Sequence, residues 1–152
     1  MSSVYTPAKL IFLADDDEDD CMLFEEALRE VSSGIQLTMA RDGGHLMRIL
    51  DDTVPPPPDV IFLDLNMPNK NGFECLEEIK MSPRFKNIPV VIFSTSAQAE
   101  AVERVYEKGA NYYICKPGTF FLLKKAIMHV LSINWQAVRS RPSKEEFILQ
   151  LN

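Results

Sequence analysis

Four separated stretches of the chain carry side chains that could act together: Asp15-Asp16-Asp17, Asp64, Ser94-Thr95-Ser96 and Lys116. Each follows or closes a short apolar run, LIFLA, VIFL, VVIF and YYIC respectively. An ionised carboxylate set against Val60-Ile61-Phe62-Leu63 is costly to bury without a partner. Lys116, after Tyr-Tyr-Ile-Cys, poses the same problem with the opposite charge. Clustered carboxylates repel one another unless a cation lies among them, and an oxygen donor set with one or two carboxylates suits Mg²⁺, or Mn²⁺ in its place. A carboxylate can also act as a nucleophile and take up a phosphoryl group as an aspartyl-phosphate. Asp64 is the candidate for that role. A divalent ion would cancel charge on the incoming group, Lys116 would pair with the carboxylate, and Ser94 would offer a hydroxyl to the phosphoryl oxygens. Taken alone, the acidic run 15–20 reads equally well as a solvated turn with a helix cap. Three costly residues at matching positions are much harder to dismiss than one.

The elements that would gather these residues are legible. Five apolar runs of strand length recur at 10–14, 35–40, 60–65, 90–94 and 112–115, rich in Val, Ile, Phe and Tyr. Several lack polar alternation, as expected for strands covered on both faces. Between them lie helical stripes: Cys21, Phe24, Leu28 and Val31; Leu46, Ile49 and Leu50; Phe73, Leu76 and Ile79, with Pro83 beyond the end. A thin fourth stripe, Ala101, Val102 and Val105 over about 97–108, stops at Gly109. A fifth, over about 119–133, carries Phe120, Leu123, Ile127 and Val130. Strand and helix alternating five times predict an α/β fold with a parallel sheet and helices on both faces. The flavodoxin-like order 2-1-3-4-5 places strands one and three side by side, and ligands of such sheets bind beyond the carboxyl ends of the strands. That rim is where Asp15, Asp64, Ser94 and Lys116 all fall.

Residues 1–134 read as one domain and 135–152 as a C-terminal extension. Within the extension, Ser143-Lys-Glu-Glu146 has the form of a capping box ahead of Phe147, Ile148, Leu149 and Leu151. That pattern predicts an apolar segment docked on its own domain or held in a dimer interface, with Trp135 as anchor. The proportions, 46% hydrophobic and 25% charged, are those of a water-soluble globular chain. A net charge of −6 disfavours duplex DNA and anionic membranes as partners. Cys21, Cys75 and Cys115 are scattered and odd in number, which suits free thiols in a reducing compartment. The apolar run near the N-terminus is too short to span a bilayer, so the expected location is the cytoplasm. His45 and His129 stand too far apart for a metal site and read as surface or packing residues.

The segments IFLADDDEDD, VIFLDLNMPNKNG, PVVIFSTS and YYICKP, in this order, resemble the receiver domains of bacterial two-component response regulators over about 9–132. Asp-Leu-Asn-Met-Pro followed by Gly72 is the most specific piece. The resemblance implies that Asp64 is the phosphoacceptor, that Asp15 and Asp16 hold Mg²⁺ with Asp64, and that the backbone carbonyl of Asn66 completes the protein ligands. It implies a hydroxyl switch at Ser94, an aromatic switch at Tyr113, the family lysine at Lys116 and a cis Lys116–Pro117 bond. Thr95 stands where Ala is usual, which alters access to the phosphoryl site. Asp17 is left over from the acidic run and reads as a helix-start residue. The expected phosphoryl source is a sensor histidine kinase or phosphotransfer protein. The fourth helix, fifth strand and fifth helix would carry the signal to a further protein or a second copy. The spacing and the apolar end segment are similar to those of stand-alone receivers such as the cyanobacterial phytochrome-partner regulators, so no output domain is expected.

Two alternatives use the same residues. A receiver fold that signals through protein contacts without phosphate would need none of the site chemistry, yet no site residue is missing. A phosphatase of the haloacid-dehalogenase type also uses an aspartate nucleophile with Mg²⁺, but wants a second aspartate two residues on, where this chain has Asn66.

Overall fold

The computed structural model describes residues 8–96, 98–135 and 142–151. Its elements follow the apolar runs: β1 (Leu10–Ala14), α1 (Glu18–Val31), β2 (Gln36–Ala40), α2 (Gly43–Thr53), β3 (Val60–Leu63), α3 (Gly72–Met81), β4 (Val90–Ser94), α4 (Ala99–Glu107), β5 (Tyr112–Cys115), α5 (Phe120–Ser132) and a single turn, α6 (Lys144–Phe147). The five strands form one parallel sheet in the order β2-β1-β3-β4-β5. In register, Ala14 stands beside Leu63 and Ser94 beside Cys115, so the ends of four strands share one rim.

β3 and β4 are buried along their whole length, which is why they read as unbroken apolar runs. The two faces of the sheet carry separate cores. On one face α2, α3 and α4 bury Leu46, Leu50, Leu76, Ile79 and Val105. On the other, α1 and α5 bury Phe24, Leu28, Ile127 and Val130. Phe24, Phe62 and Phe93 meet there edge to face, with centroids 4.9, 5.7 and 6.0 Å apart. Each such pair contributes about 0.5–1.5 kcal/mol beyond its area burial. Phe93 immediately precedes Ser94 and Phe62 lies two residues before Asp64, so the cluster sits just below the rim.

The helix starts are set by short polar side chains. Asp17 accepts from the Asp20 amide, Asp42 from His45 and Thr119 from Leu122. Asn71 and Glu74 complete a reciprocal capping box on α3. α4 lacks a side-chain cap at Gln98 and is two residues shorter at its start than the stripe predicts. It stops as expected at Gly109, whose φ of 100° few L side chains adopt. The Lys116–Pro117 bond is trans; the cis bonds among the described residues are Val54–Pro55 and Pro55–Pro56, in the proline loop before β3. Either isomer of an X–Pro bond lies within about 1 kcal/mol, so local sequence does not fix the choice. No helix of the described residues is long and apolar enough to cross a membrane.

Candidate functional site

The rim gathers its residues through backbone pairing. The Asp64 amide donates to the Ala14 carbonyl (2.9 Å) and the Lys116 amide to the Ser94 carbonyl (2.9 Å). β1 therefore delivers Asp15 beside Asp64, and β5 delivers Lys116 beside Ser94. Behind Asp64 the chain turns sharply so that the Gly72 amide reaches the Leu65 carbonyl (3.0 Å). A Cβ on Gly72 would stand 2.2 Å from the Asp64 carbonyl oxygen, so only glycine fits where α3 starts against the site.

Lys116 is the hub. Its Nζ lies 2.7 Å from Asp15 Oδ2, 2.8 Å from Asp20 Oδ2 and 3.2 Å from Asp64 Oδ2. It also sits 5.9 Å from the centre of the Phe93 ring, within cation–π range. Its side chain is 10% exposed and that of Asp15 is 1% exposed. Burial disfavours the ammonium, but the short contacts with Asp15 and Asp20 and the charges of Asp15 and Asp64 outweigh it. The Lys116 pKa is therefore held above its ordinary value.

Asp15 is under the opposite stress. Burial pushes its carboxyl up to about 6, against the pull of Lys116 and of the Asp17 amide, which donates to Oδ1 at 2.9 Å. Asp15 Oδ2 is sealed from solvent, and its partner is the Lys116 ammonium at 2.7 Å, which it shares with Asp20 and Asp64. Three carboxylates against one ammonium leave the site short of positive charge. Oxygens of Asp15, Asp16 and Asp64 all lie within 4.8 Å of one another, with Asp16 at the exposed mouth. Three carboxylate oxygens set this close, where negative charge is in excess, fit a small hard cation.

Most of the residues singled out in the sequence thus gather at one rim, but not all in the expected way. Lys116 contacts Asp15 and Asp20 more closely than Asp64. Asp20 was not anticipated. It lies in the same acidic run, 15–20, and in the structure it stands in the first turn of α1, where the Asp17 carboxylate accepts from its amide at 3.0 Å. Asn66 is exposed and its amide approaches Asp64 Oδ1 at 3.4 Å. Ser94 is fully buried, and its Oγ accepts from the Ser96 amide at 3.3 Å. Thr95 is exposed beside it. Tyr113 is 1% exposed, and its hydroxyl donates to the Ser96 carbonyl in a short hydrogen bond. Burial raises the Tyr113 phenol pKa. Tyr113 thus faces the loop after β4 from the next strand over. His45 accepts from the Arg41 amide at 3.3 Å, and His129 is exposed on α5; neither enters the site.

An acidic rim, a part-buried lysine and a 2-1-3-4-5 sheet define a doubly wound domain built to hold a charged group at its carboxyl edge. The chain matches the response regulator receiver domain family over residues 11–128, and it belongs to that family. It is 38% identical over 120 residues to response regulator Rcp1 of Synechocystis sp., covering 76% of this chain and 82% of that one. Among solved structures, the phosphorylated cyanobacterial phytochrome response regulator RcpA superposes with a TM-score of 0.77 at 34% identity, over 90% of this chain and 99% of that one. The Mn²⁺-bound form of Rcp1 gives 0.73 at 34% identity, over 89% and 99%. The probable chemotaxis protein CheY of Rhizobium etli is 28% identical over 117 residues, 77% of this chain and 88% of that one. These relatives are receiver-domain signalling proteins, and the family match leaves the haloacid-dehalogenase alternative without support.

Proposed function

We propose that this protein is a phosphorylation switch in which Asp64 accepts a phosphoryl group from the phosphohistidine of a sensor kinase or phosphotransfer protein. The observation that carries the proposal is the Lys116 ammonium shared between Asp15, Asp20 and Asp64, with Asp64 5% exposed at the floor of the mouth. An Asp64 oxygen attacks phosphorus, the new P–O bond forms as the donor P–N bond breaks, and the leaving imidazole keeps its electron pair and takes a proton. Asp15, Asp16 and Asp64, with the Asn66 carbonyl, would hold Mg²⁺ or Mn²⁺, which when bound supplies positive charge to the transferring oxygens. The Rcp1 relative with Mn²⁺ and the 4.8 Å acid cluster support that choice.

Lys116 begins paired to three acids, so it is poised to follow new negative charge on Asp64. The Ser94 hydroxyl, next to Tyr113 and the 95–96 turn, is the donor that would follow it. Thr95 limits access at the exposed lip. The readout is a shift of the α4, β5 and α5 surface that changes binding to a downstream protein or to a second copy. Buried Cys21 and Cys75 are free thiols, which supports a reducing, cytoplasmic setting.

The test is labelling with acetyl phosphate and Mg²⁺, read by intact mass and acid-labile phosphate. The parent should gain one phosphoryl group, and Asp64→Asn should gain none. Equal labelling of the two would remove Asp64 from the role.

A further inference from the structure

The segment after Pro142 does not trail away from the domain. The Phe147 side chain is 1% exposed, and its ring meets Tyr106 of α4 at 5.0 Å and Tyr113 of β5 at 6.2 Å, both edge to face. The backbone follows the outer edge of β5: Ile148 pairs with Tyr113 in a parallel bridge, and the Leu149 amide donates to the Tyr113 carbonyl at 3.0 Å. Two polar ties pin its start. The Tyr106 hydroxyl donates to the Pro142 carbonyl at 2.9 Å, and Lys144 meets Glu103 at 2.5 Å. On the other side of the same edge, Trp135 packs on Tyr112 with centroids 5.9 Å apart, and Leu149 and Leu151 join the α1–α5 core. The arm covers a sheet edge that would otherwise expose unpaired amides and carbonyls.

We propose that residues 143–149 form a reader arm whose docking on the α4–β5 face is linked to the inward position of Tyr113. Tyr113 serves both ends of the link. Its hydroxyl holds the Ser96 carbonyl, and the Ser96 amide holds Ser94 Oγ, beside the phosphoacceptor. Its ring and backbone carry the arm. An outward swing of Tyr113 takes away the surface that Phe147 packs on, so a docked arm and an inward Tyr113 require each other. Ser94 Oγ and the Tyr113 hydroxyl are both tied to Ser96, so a phosphoryl group on Asp64 that draws the Ser94 hydroxyl acts on Tyr113 through that residue and favours the inward state. Phosphorylation therefore tightens the arm, and by linkage the arm strengthens binding of the phosphoryl mimic by the same factor. This half of the inference rests on Asp64 being the phosphoacceptor.

The experiment is hydrogen–deuterium exchange of the full chain over 142–151, with and without Mg²⁺ and beryllium fluoride, on the parent, Phe147→Ala and Tyr113→Ala. Intact-mass labelling by acetyl phosphate is run on the same samples. In the parent, arm amides should exchange at least threefold more slowly with the mimic. Both variants should lose arm protection, and Phe147→Ala should still be labelled at Asp64 while binding the mimic at least threefold more weakly. Labelling of the parent with unchanged arm exchange would overturn the link and leave the phosphoacceptor role standing. Absence of labelling would overturn that role, and the phosphate-dependent half of the link with it. Arm protection undiminished in Tyr113→Ala would overturn the contact itself. Protection that scales with protein concentration would also overturn it, by assigning the arm to a second copy.

Discussion

Replacing Asp15 with Asn should change how the stability of the metal-free protein depends on pH. Asp15 is 1% exposed, and burial raises its carboxyl from 3.8 to about 6. Between those two values the folded state holds a proton that the unfolded chain releases. Stability from this group is therefore fully present below pH 3.8 and is lost as pH rises through about 6. The gap corresponds to roughly 3 kcal/mol. Asn keeps the acceptor for the Asp17 amide, now 2.9 Å from Oδ1, and does not titrate. Its NH₂ group would face Lys116 donor to donor, a cost of about 1 kcal/mol that is the same at every pH. Lys116 stays charged throughout the window and Asp20 and Asp64 are common to both proteins. Urea denaturation of both in chelator, from pH 4 to pH 7.5, isolates the term. The stability of the variant minus that of the parent should rise by roughly 2.5 kcal/mol across this range, since the first part of the gap is already crossed at pH 4. Saturating Mg²⁺ at pH 7.5 should then raise the parent more than the variant. A difference that stays flat with pH would show that Asp15 is not held in the folded state as a strained carboxylate.

Three further substitutions separate the roles at the rim. Lys116→Met should cost about 3 kcal/mol at pH 7 in chelator and less at pH 4, since a protonated Asp15 needs no cation; urea midpoints at the two values decide it. Gly72→Ala puts a Cβ 2.2 Å from the Asp64 carbonyl oxygen and 2.7 Å from Leu65 Cα, so backbone must move. It should cost about 1–3 kcal/mol and slow acetyl-phosphate labelling of Asp64. Asp17→Ala removes the α1 cap, which accepts from the Asp20 amide at 3.0 Å, and should cost about 1 kcal/mol. It should leave the stabilisation by Mg²⁺ intact; loss of that stabilisation would make Asp17 a ligand rather than a cap.

What could be read from the sequence and what could not divides along a physical line. Parallel strands buried on both faces appear as apolar runs, so the bounds of β1, β4 and β5 match the runs residue for residue. The carboxyl end of each run then fixes which polar residues share the rim, whatever their separation along the chain. Side-chain pairing within that rim is a different matter. A lysine with four rotatable bonds standing among several acids has no local preference among them, and its choice of Asp15 and Asp20 over Asp64 depends on helix α1 turning its first residues inward. The capping box at Ser143 was equally plain, and its side chain does accept from the Glu146 amide. Where the capped segment docks was not, because Phe147-Ile148-Leu149 fits any apolar surface. Its seat follows from the topology: β5 is the last strand of the sheet, its outer edge is open, and Tyr106 and Tyr113 make an aromatic socket beside it. The same tyrosine therefore pairs with the arm and holds the loop after β4 through the Ser96 carbonyl. Under the proposed link, the arm's exchange rate reports events at Asp64.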